Sequence, residues 1–195
     1  MKLIKRYMIF ILLASGISPV LAQKAIYSAD KTIVTFFSSA PLEDIQATNE
    51  KSISLINISN NEIAVRIPIG QFQFRNKLMQ EHFNENYMES GRFPYATFKG
   101  KINEQVVFSR EGTYNVSASG TLNVHGVSRK RTLNGTLKIS NTGMLLDSSF
   151  DIILAEHKIE IPRLVFNKIA ERVEVKTRFS YPRTENAPQN SRQGN

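Results

Sequence analysis

The stretch from Tyr114 to His125 constrains this chain more than any other. Tyr114, Val116, Ala118, Gly120, Leu122 and Val124 alternate with Asn115, Ser117, Ser119, Thr121, Asn123 and His125. Successive side chains of an extended chain point to opposite faces, so the stretch is a long strand with one apolar and one polar face. The same period recurs at Ile63, Val65 and Ile67, at Leu133, Leu137 and Ile139, at Phe150, Ile152 and Leu154, and at Val173, Val175 and Phe179. Shorter strand candidates cover 33–38, 45–49, 53–58 and 95–102. Turn signals fall between them at Asn60-Asn61, Arg110-Glu111-Gly112, His125-Gly126 and Asn141-Thr142-Gly143. The class is all-β. About eight such strands in up-and-down order predict an antiparallel barrel, because closure removes sheet edges. A barrel of that strand number holds one small ligand if its own side chains leave room.

One segment breaks the period. From Lys77 to Glu89, Leu78, Met79, His82 or Phe83, and Asn86 or Tyr87 fall at helical spacing, and Ser90-Gly91 supplies a stop. A minor second helix is expected over Leu164–Ala170, after Ile161-Pro162.

The ends read differently from the middle. Lys2, Lys5 and Arg6 precede the apolar run MIFILLASGI, with Val20 and Ala22 at the −3 and −1 positions of a cleavage site. Residues 1–22 therefore read as a signal peptide cut after Ala22, which places the mature chain in the periplasm or outside the cell. The domain is expected over 23–181. Residues 182–195 (PRTENAPQNSRQGN) are too polar to offset their ordering entropy and are expected to be disordered. Zero Cys excludes a disulfide scaffold, a thiolate metal site and a Cys nucleophile. The formal charge is +8, but its basic residues are spread along the chain, so no nucleic-acid partner is expected. An outer-membrane barrel would turn its apolar face outward. The polar tail, the mid-chain helix and the absence of Trp argue against that version.

No catalytic constellation is visible. His82, Glu85 and Glu89 have helical spacing for a metal, but no second ligand set accompanies them. His125 and His157 read as capping and surface hydrogen-bonding residues. There is no Gly-rich phosphate loop and no nucleophile elbow, and no carboxylate pair suited to glycoside chemistry appears. The chain is read as a non-enzyme without a metal or organic cofactor. Arg129-Lys130-Arg131 reads either as a solvated turn between strands or as a cationic rim meeting an anionic head group or membrane surface.

Several segments in order carry a resemblance: FQFRNKLMQEHFNENYMESGRFPYATFKGKI, GTYNVSASGTLNVHGVSRKRTLNGTL and SSFDIILAEHKIEIP. Phe72-x-Phe74, a Met-containing helix with Phe83, Phe93-Pro94 leading into a strand, Leu122-x-Val124-His125-Gly126 and Ile159-x-Ile161-Pro162 together resemble the YceI-like family. The resemblance runs from about Ala25 to Tyr181. It implies a lipocalin-like antiparallel barrel, exported in bacteria, that holds a polyisoprenoid or similar amphiphile such as a quinone or prenyl lipid, as carrier or store. No metal or catalytic motif comes with it. The inward apolar set expected to line the interior is Val65, Ile67, Phe72, Phe74, Phe98, Val116, Leu122, Val124, Phe150, Ile152 and Leu154. Leu78, Met79, Phe83 and Met88 of the helix are expected to border one mouth. Ala118, Gly120 and Gly135, being small and inward, are expected to leave space. The alternative is a filled barrel that acts through protein contacts as an envelope or stress module. Dimerisation and transient membrane contact stay open at this level.

Overall fold

The structure is a computed structural model that describes residues 25–39, 44–160 and 171–183. Residues 1–22, Ile161-Pro162, Leu164–Ala170 and the tail beyond Arg183 lie outside the described residues.

Eleven antiparallel strands form one sheet: β1 Ile26–Ser28, β2 Lys31–Ser39, β3 Asp44–Asn49, β4 Ile53–Asn57, β5 Glu62–Pro68, β6 Gln73–Phe74, β7 Tyr95–Ile102, β8 Gly112–Val124, β9 Val127–Ser140, β10 Gly143–Ile153 and β11 Arg172–Pro182. Their order across the sheet is β1-β4-β5-β7-β8-β9-β10-β11-β2-β3-β6. The strands beyond those expected are the very short β1 and β6. The alternation sorts as it should. Val116, Leu122 and Val124 of β8 and Val173, Val175 and Phe179 of β11 are buried, whereas Asn115, Ser119, Lys176 and Arg178 are exposed.

The ladder of β8 and β9 runs from Gly112↔Ile139 to Val124↔Val127 and ends in the two-residue turn His125-Gly126. Both turn residues have positive φ, 50° and 73°, as a hairpin turn twisted with its strands requires. Arg129, Lys130 and Arg131 therefore lie within β9 and do not form the connecting turn.

Curvature comes from close strand approach. Gly100 of β7 faces Gly120 of β8. A Cβ on Gly120 would sit 2.2 Å from the Lys99 carbonyl oxygen and 2.5 Å from the Gly100 Cα. A Cβ on Gly135 would sit 2.6 Å from the Asp147 carbonyl oxygen. At Gly120 this corrects the expectation, because the room it leaves is taken by neighbouring backbone; Gly135 admits the β10 backbone as closely but still borders an interior space.

The sheet curls into a half-barrel, and its ends meet at a seam instead of through a continuous ladder. β1 pairs with β4 and β2 pairs with β11. At the bend between β1 and β2, the Ala29 N–H donates to the Ser54 carbonyl (2.9 Å) and the Asp30 N–H to the Ser180 carbonyl (2.9 Å). Beside it, the Tyr181 hydroxyl and Ser54 Oγ are 2.6 Å apart and fully buried. Burial pushes the Tyr181 phenol well above its ordinary range, so it stays protonated and able to donate. The strands left at the sheet's edges are three and two residues long, too short to template another chain.

On the connection after β7, the Glu104 carboxylate takes the place of a missing strand neighbour. It accepts the Ser117 backbone N–H (2.7 Å) and the Ser117 hydroxyl (2.8 Å). These bonds hold the carboxyl below the usual carboxylate range.

Gly120→Ala should destabilise the protein by about 2 kcal/mol or more, because backbone on both adjoining strands must move. Ala118→Gly on the same strand should cost about 1 kcal/mol, by lost packing and added chain entropy. Urea unfolding of the two variants separates these outcomes.

Candidate functional site

The helix α1, Lys77–His82, lies over one end of the half-barrel. Asn76 caps it: the Leu78 N–H (2.9 Å) and Met79 N–H (3.4 Å) donate to Asn76 Oδ1. The Phe74 N–H donates to Gln80 Oε1 (3.2 Å), tying the helix to β6. At Phe83 the chain passes into a π turn, Phe83–Tyr87, closed by the Met88 N–H on the Phe83 carbonyl. The wider turn departs from the simple helix expected over 77–89. It brings Tyr87 and Met88 to the same side as Leu78, Met79, His82 and Phe83. Such turns recur at functional positions because they shift a helix face by one residue.

Beneath the helix is a cavity of about 370 Å³, within the range of ligand pockets. Of the residues expected to line the interior, Ile67, Phe72, Phe74, Leu122, Val124, Phe150, Ile152 and Leu154 border it, as do the helix residues Leu78, Met79, Phe83 and Met88. Val65, Phe98 and Val116 border a second, deeper space of about 70 Å³. Ile67, Leu122 and Phe150 line both spaces and stand between them. From Val124 to Val116 along β8 the two spaces span about 26 Å, at ~3.3 Å per strand residue. Ala118 and Gly135 border only the deeper space, and Gly120 borders neither.

Sequence reasoning missed Val34, Phe36, Ser38, Ile45, Ile69, Asn76, His82, Tyr87, Ile159, Val173 and Val175 as wall residues. Val34, Phe36, Val173 and Val175 were readable from their alternation. Ile69 and Ile159 sit in irregular segments with no period to show their direction.

The wall is almost wholly apolar. Among the described residues it contains no Lys, Arg, Asp or Glu; its polar groups are Ser38, Asn76, His82 and Tyr87. Burial raises the Tyr87 phenol, which stays neutral. Four phenylalanines hold the helix to the sheet. Phe83 stacks on Phe36 with ring centroids 5.3 Å apart, and lies 5.7 Å from Phe72 and 5.0 Å from Phe74. Each such pair contributes about 0.5–1.5 kcal/mol beyond area burial.

A larger depression, about 900 Å³ and open to solvent, lies on the outer face of β8–β11 and β2. Its charges have partners: Arg178 Nε donates to Asp147 Oδ1 (2.7 Å), Lys176 pairs with the neighbouring Glu174 (3.1 Å), and Glu104 accepts from Ser117. It is a solvated sheet face without apolar enclosure, and the ligand-sized apolar space is the inner one.

The remaining chemistry-bearing residues have structural partners. His125 and His157 are both buried, not on the surface as expected. His125 Nε2 lies 2.9 Å from Glu89 Oε2 and Nδ1 3.2 Å from the His157 carbonyl oxygen, while Phe93 packs edge-on against the ring (4.4 Å). Glu89 is therefore occupied, and no group of three His, Cys, Asp or Glu among the described residues is placed to hold a metal. The Arg129 guanidinium donates to the Glu156 carbonyl (3.2 and 3.1 Å), and Arg131 Nη2 donates to the Asp151 carbonyl (2.9 Å). These two cations brace the turn after β10; Arg129 and Lys130 are exposed and Arg131 is half-buried.

Comparison with known proteins places these features. The YceI-like domain family matches residues 29–181. A polyisoprenoid-binding domain from Saccharophagus degradans, implicated in plant cell wall breakdown, superposes with a TM-score of 0.72 at 18% identity, covering 82% of this chain and 99% of its own. BcnA from Burkholderia cenocepacia superposes at 0.61 and 15% identity, covering 78% and 96%. The YceI protein of Campylobacter jejuni superposes at 0.55 and 12% identity, covering 93% and 100%. No curated protein sequence matches the chain at a significant level.

His157 gives the site a pH signature. Its ring is fully buried, with Nδ1 3.3 Å from the Val127 carbonyl. Burial lowers its proton affinity, and the neighbouring carbonyls and Glu156 only partly offset this. In the unfolded chain the imidazole binds a proton near pH 6.5. The unfolded state thus holds more protons as pH falls below that value, and stability drops with it. Urea midpoints should fall between pH 7 and pH 5, and His157→Gln should flatten that slope while lowering the midpoint at pH 7.

Proposed function

We propose that this chain, which belongs to the YceI-like family, is an exported lipid-binding protein that carries or stores a polyisoprenoid or similar amphiphile in its barrel. The supporting observation is the pair of adjoining, largely apolar interior spaces, bordered at one end by a helix and lined, among the described residues, without Lys, Arg, Asp or Glu. A prenyl chain needs dry apolar walls and little else. Each buried methylene contributes about 0.8 kcal/mol. About ten of them match the ~8 kcal/mol of micromolar binding before ordering costs. Binding of this kind needs no polar motif, which fits a sequence in which none is visible. The likeness to a polyisoprenoid-binding domain points the same way. Export follows from the signal-like residues 1–22, and a periplasmic location suits a carrier for a molecule insoluble in water. Asn76, His82 and Tyr87 place polar groups at the helix end of the larger space, so the head group of a quinone or prenol sits there and its chain runs inward.

The test is native mass spectrometry of the protein purified from its own host, followed by organic extraction. A bound mass in isoprene-unit steps is expected. Ile67→Trp, which adds apolar bulk where the two spaces adjoin, should lower retention at least about tenfold while circular dichroism stays that of the parent. A bare polypeptide that also refuses added quinones and prenols would overturn the reading and favour a module acting through protein contacts.

A further inference from the structure

The helix over the cavity is lightly held. No residue from Lys77 to Tyr87 is buried, and Leu78 is 58% exposed. At its far end the chain turns at Glu89, whose φ is +42°. Glu89 meets His125, φ +50°, which in turn meets the His157 carbonyl, next to Lys158 at φ +56°. Three of the four non-glycine residues with positive φ among those described thus come together at one point. Backbone held in this region tends to gather at ligand clamps, where surrounding contacts over-determine it. The positions are also telling. A two-residue hairpin turn ordinarily takes Asn or Asp where His125 stands, and those residues could not span from Glu89 to the 3-10 turn Leu154–His157. His125 reaches both, one ring nitrogen to each.

We propose that His125 is the clasp of the cavity's lid. It joins the C-terminal end of the helix segment, through Glu89, to the turn that carries the wall residues Leu154 and Ile159. The Glu89 carboxyl and the His157 carbonyl face the two ring nitrogens, one each. Glu89 is also approached by Arg92 (3.7 Å), and the His157 side carries Glu156 and Arg129. Together with the buried Met88 beside it, the Glu89–His125 bond is a side-chain link that lid opening must break at this end. His125 is a positioning residue: it sets how often the helix lifts, and through that how fast a bound molecule leaves. Only the last consequence rests on the carrier reading.

The experiment is hydrogen exchange on the ligand-free full chain, comparing amides of residues 78–88 with those of the β8–β9 ladder. His125→Asn keeps a residue suited to the turn and removes the clasp. Glu89→Asn removes it from the other side, outside the hairpin. Either change should speed exchange across 78–88 by about tenfold or more, the scale of one lost charge-assisted bond, with the ladder unchanged. The double variant should add little to either single one, because one interaction is lost in both. Unchanged exchange over 78–88 in Glu89→Asn would overturn the proposal, whatever His125→Asn does to the hairpin. Release of a fluorescently labelled prenol into phosphatidylcholine vesicles should quicken in the same variants. If exchange responds but the parent binds no prenol, the clasp stands and the carrier reading fails.

Discussion

The interior of this protein depends on how closely two strands can approach. At Gly100 and Gly120 the backbones of β7 and β8 occupy the space that a pair of methyl groups would need. Removing those groups lets the sheet turn within one strand pair. The β9–β10 contact at Gly135 does the same two strands further on. A sheet of the same strands without these contacts would stay more open, and its apolar face would have to be covered by something else. Sharp bending lets the sheet cover itself. It also explains why closure is a seam: once β11 approaches β4, two backbone bonds at Ala29 and Asp30 and the buried Tyr181–Ser54 pair are enough.

The same bending leaves the opposite end unfinished, because β3 and β6 continue the sheet past β2 instead of meeting β4. The helix lies at that end. Its attachment is graded: a capped start at Asn76, an aromatic cluster around Phe83, and a hydrogen-bonded finish at Glu89. None of these is a deep apolar burial of the helix itself. A cover attached this way separates from the sheet at lower cost than any strand, which is how regions of low local stability arise in an otherwise rigid fold.

How much of this was legible in the sequence follows from periodicity. Where a strand is long and its outer face wet, as from Tyr114 to His125, each residue announces its face, and the inward set from β8 and β10 is placed accordingly. Phe36 of β2 and Val175 of β11 obey the same period, but the period alone does not say which inward residues border the cavity. The glycines show the limit of that reasoning. Direction was readable, yet whether a missing side chain leaves a void or admits a neighbouring backbone depends on strand distance, which no period encodes. The histidines show another. His125 stands at a visible turn signal, but its partners lie 36 residues before and 32 residues after it. A bond between side chains that far apart has no local signature. The π turn was hidden for a related reason, since a one-residue shift in a short helix barely alters its apolar spacing.

The size of the cavity bears on why the barrel is not filled. Apolar space left in a core costs on the order of 24 cal/mol per Å³ in substitution series. The roughly 370 Å³ beneath the helix opens toward solvent beside the exposed Leu78, so that scale sets only a ceiling on its cost. Larger side chains at half-buried positions such as Ile67, Ile152 and Leu154 would recover part of it, and any globular protein selected for stability alone has that route open. Ordered water is a poor filler, because Ser38, Asn76, His82 and Tyr87 are the polar wall groups, leaving the rest of the wall without partners for it. An apolar chain entering the space replaces the missing contacts without asking for hydrogen bonds. Binding to the folded state alone then stabilises it through mass action. Part of the energetic deficit of the empty space would be recovered by any apolar molecule that fills it, less the cost of ordering that molecule.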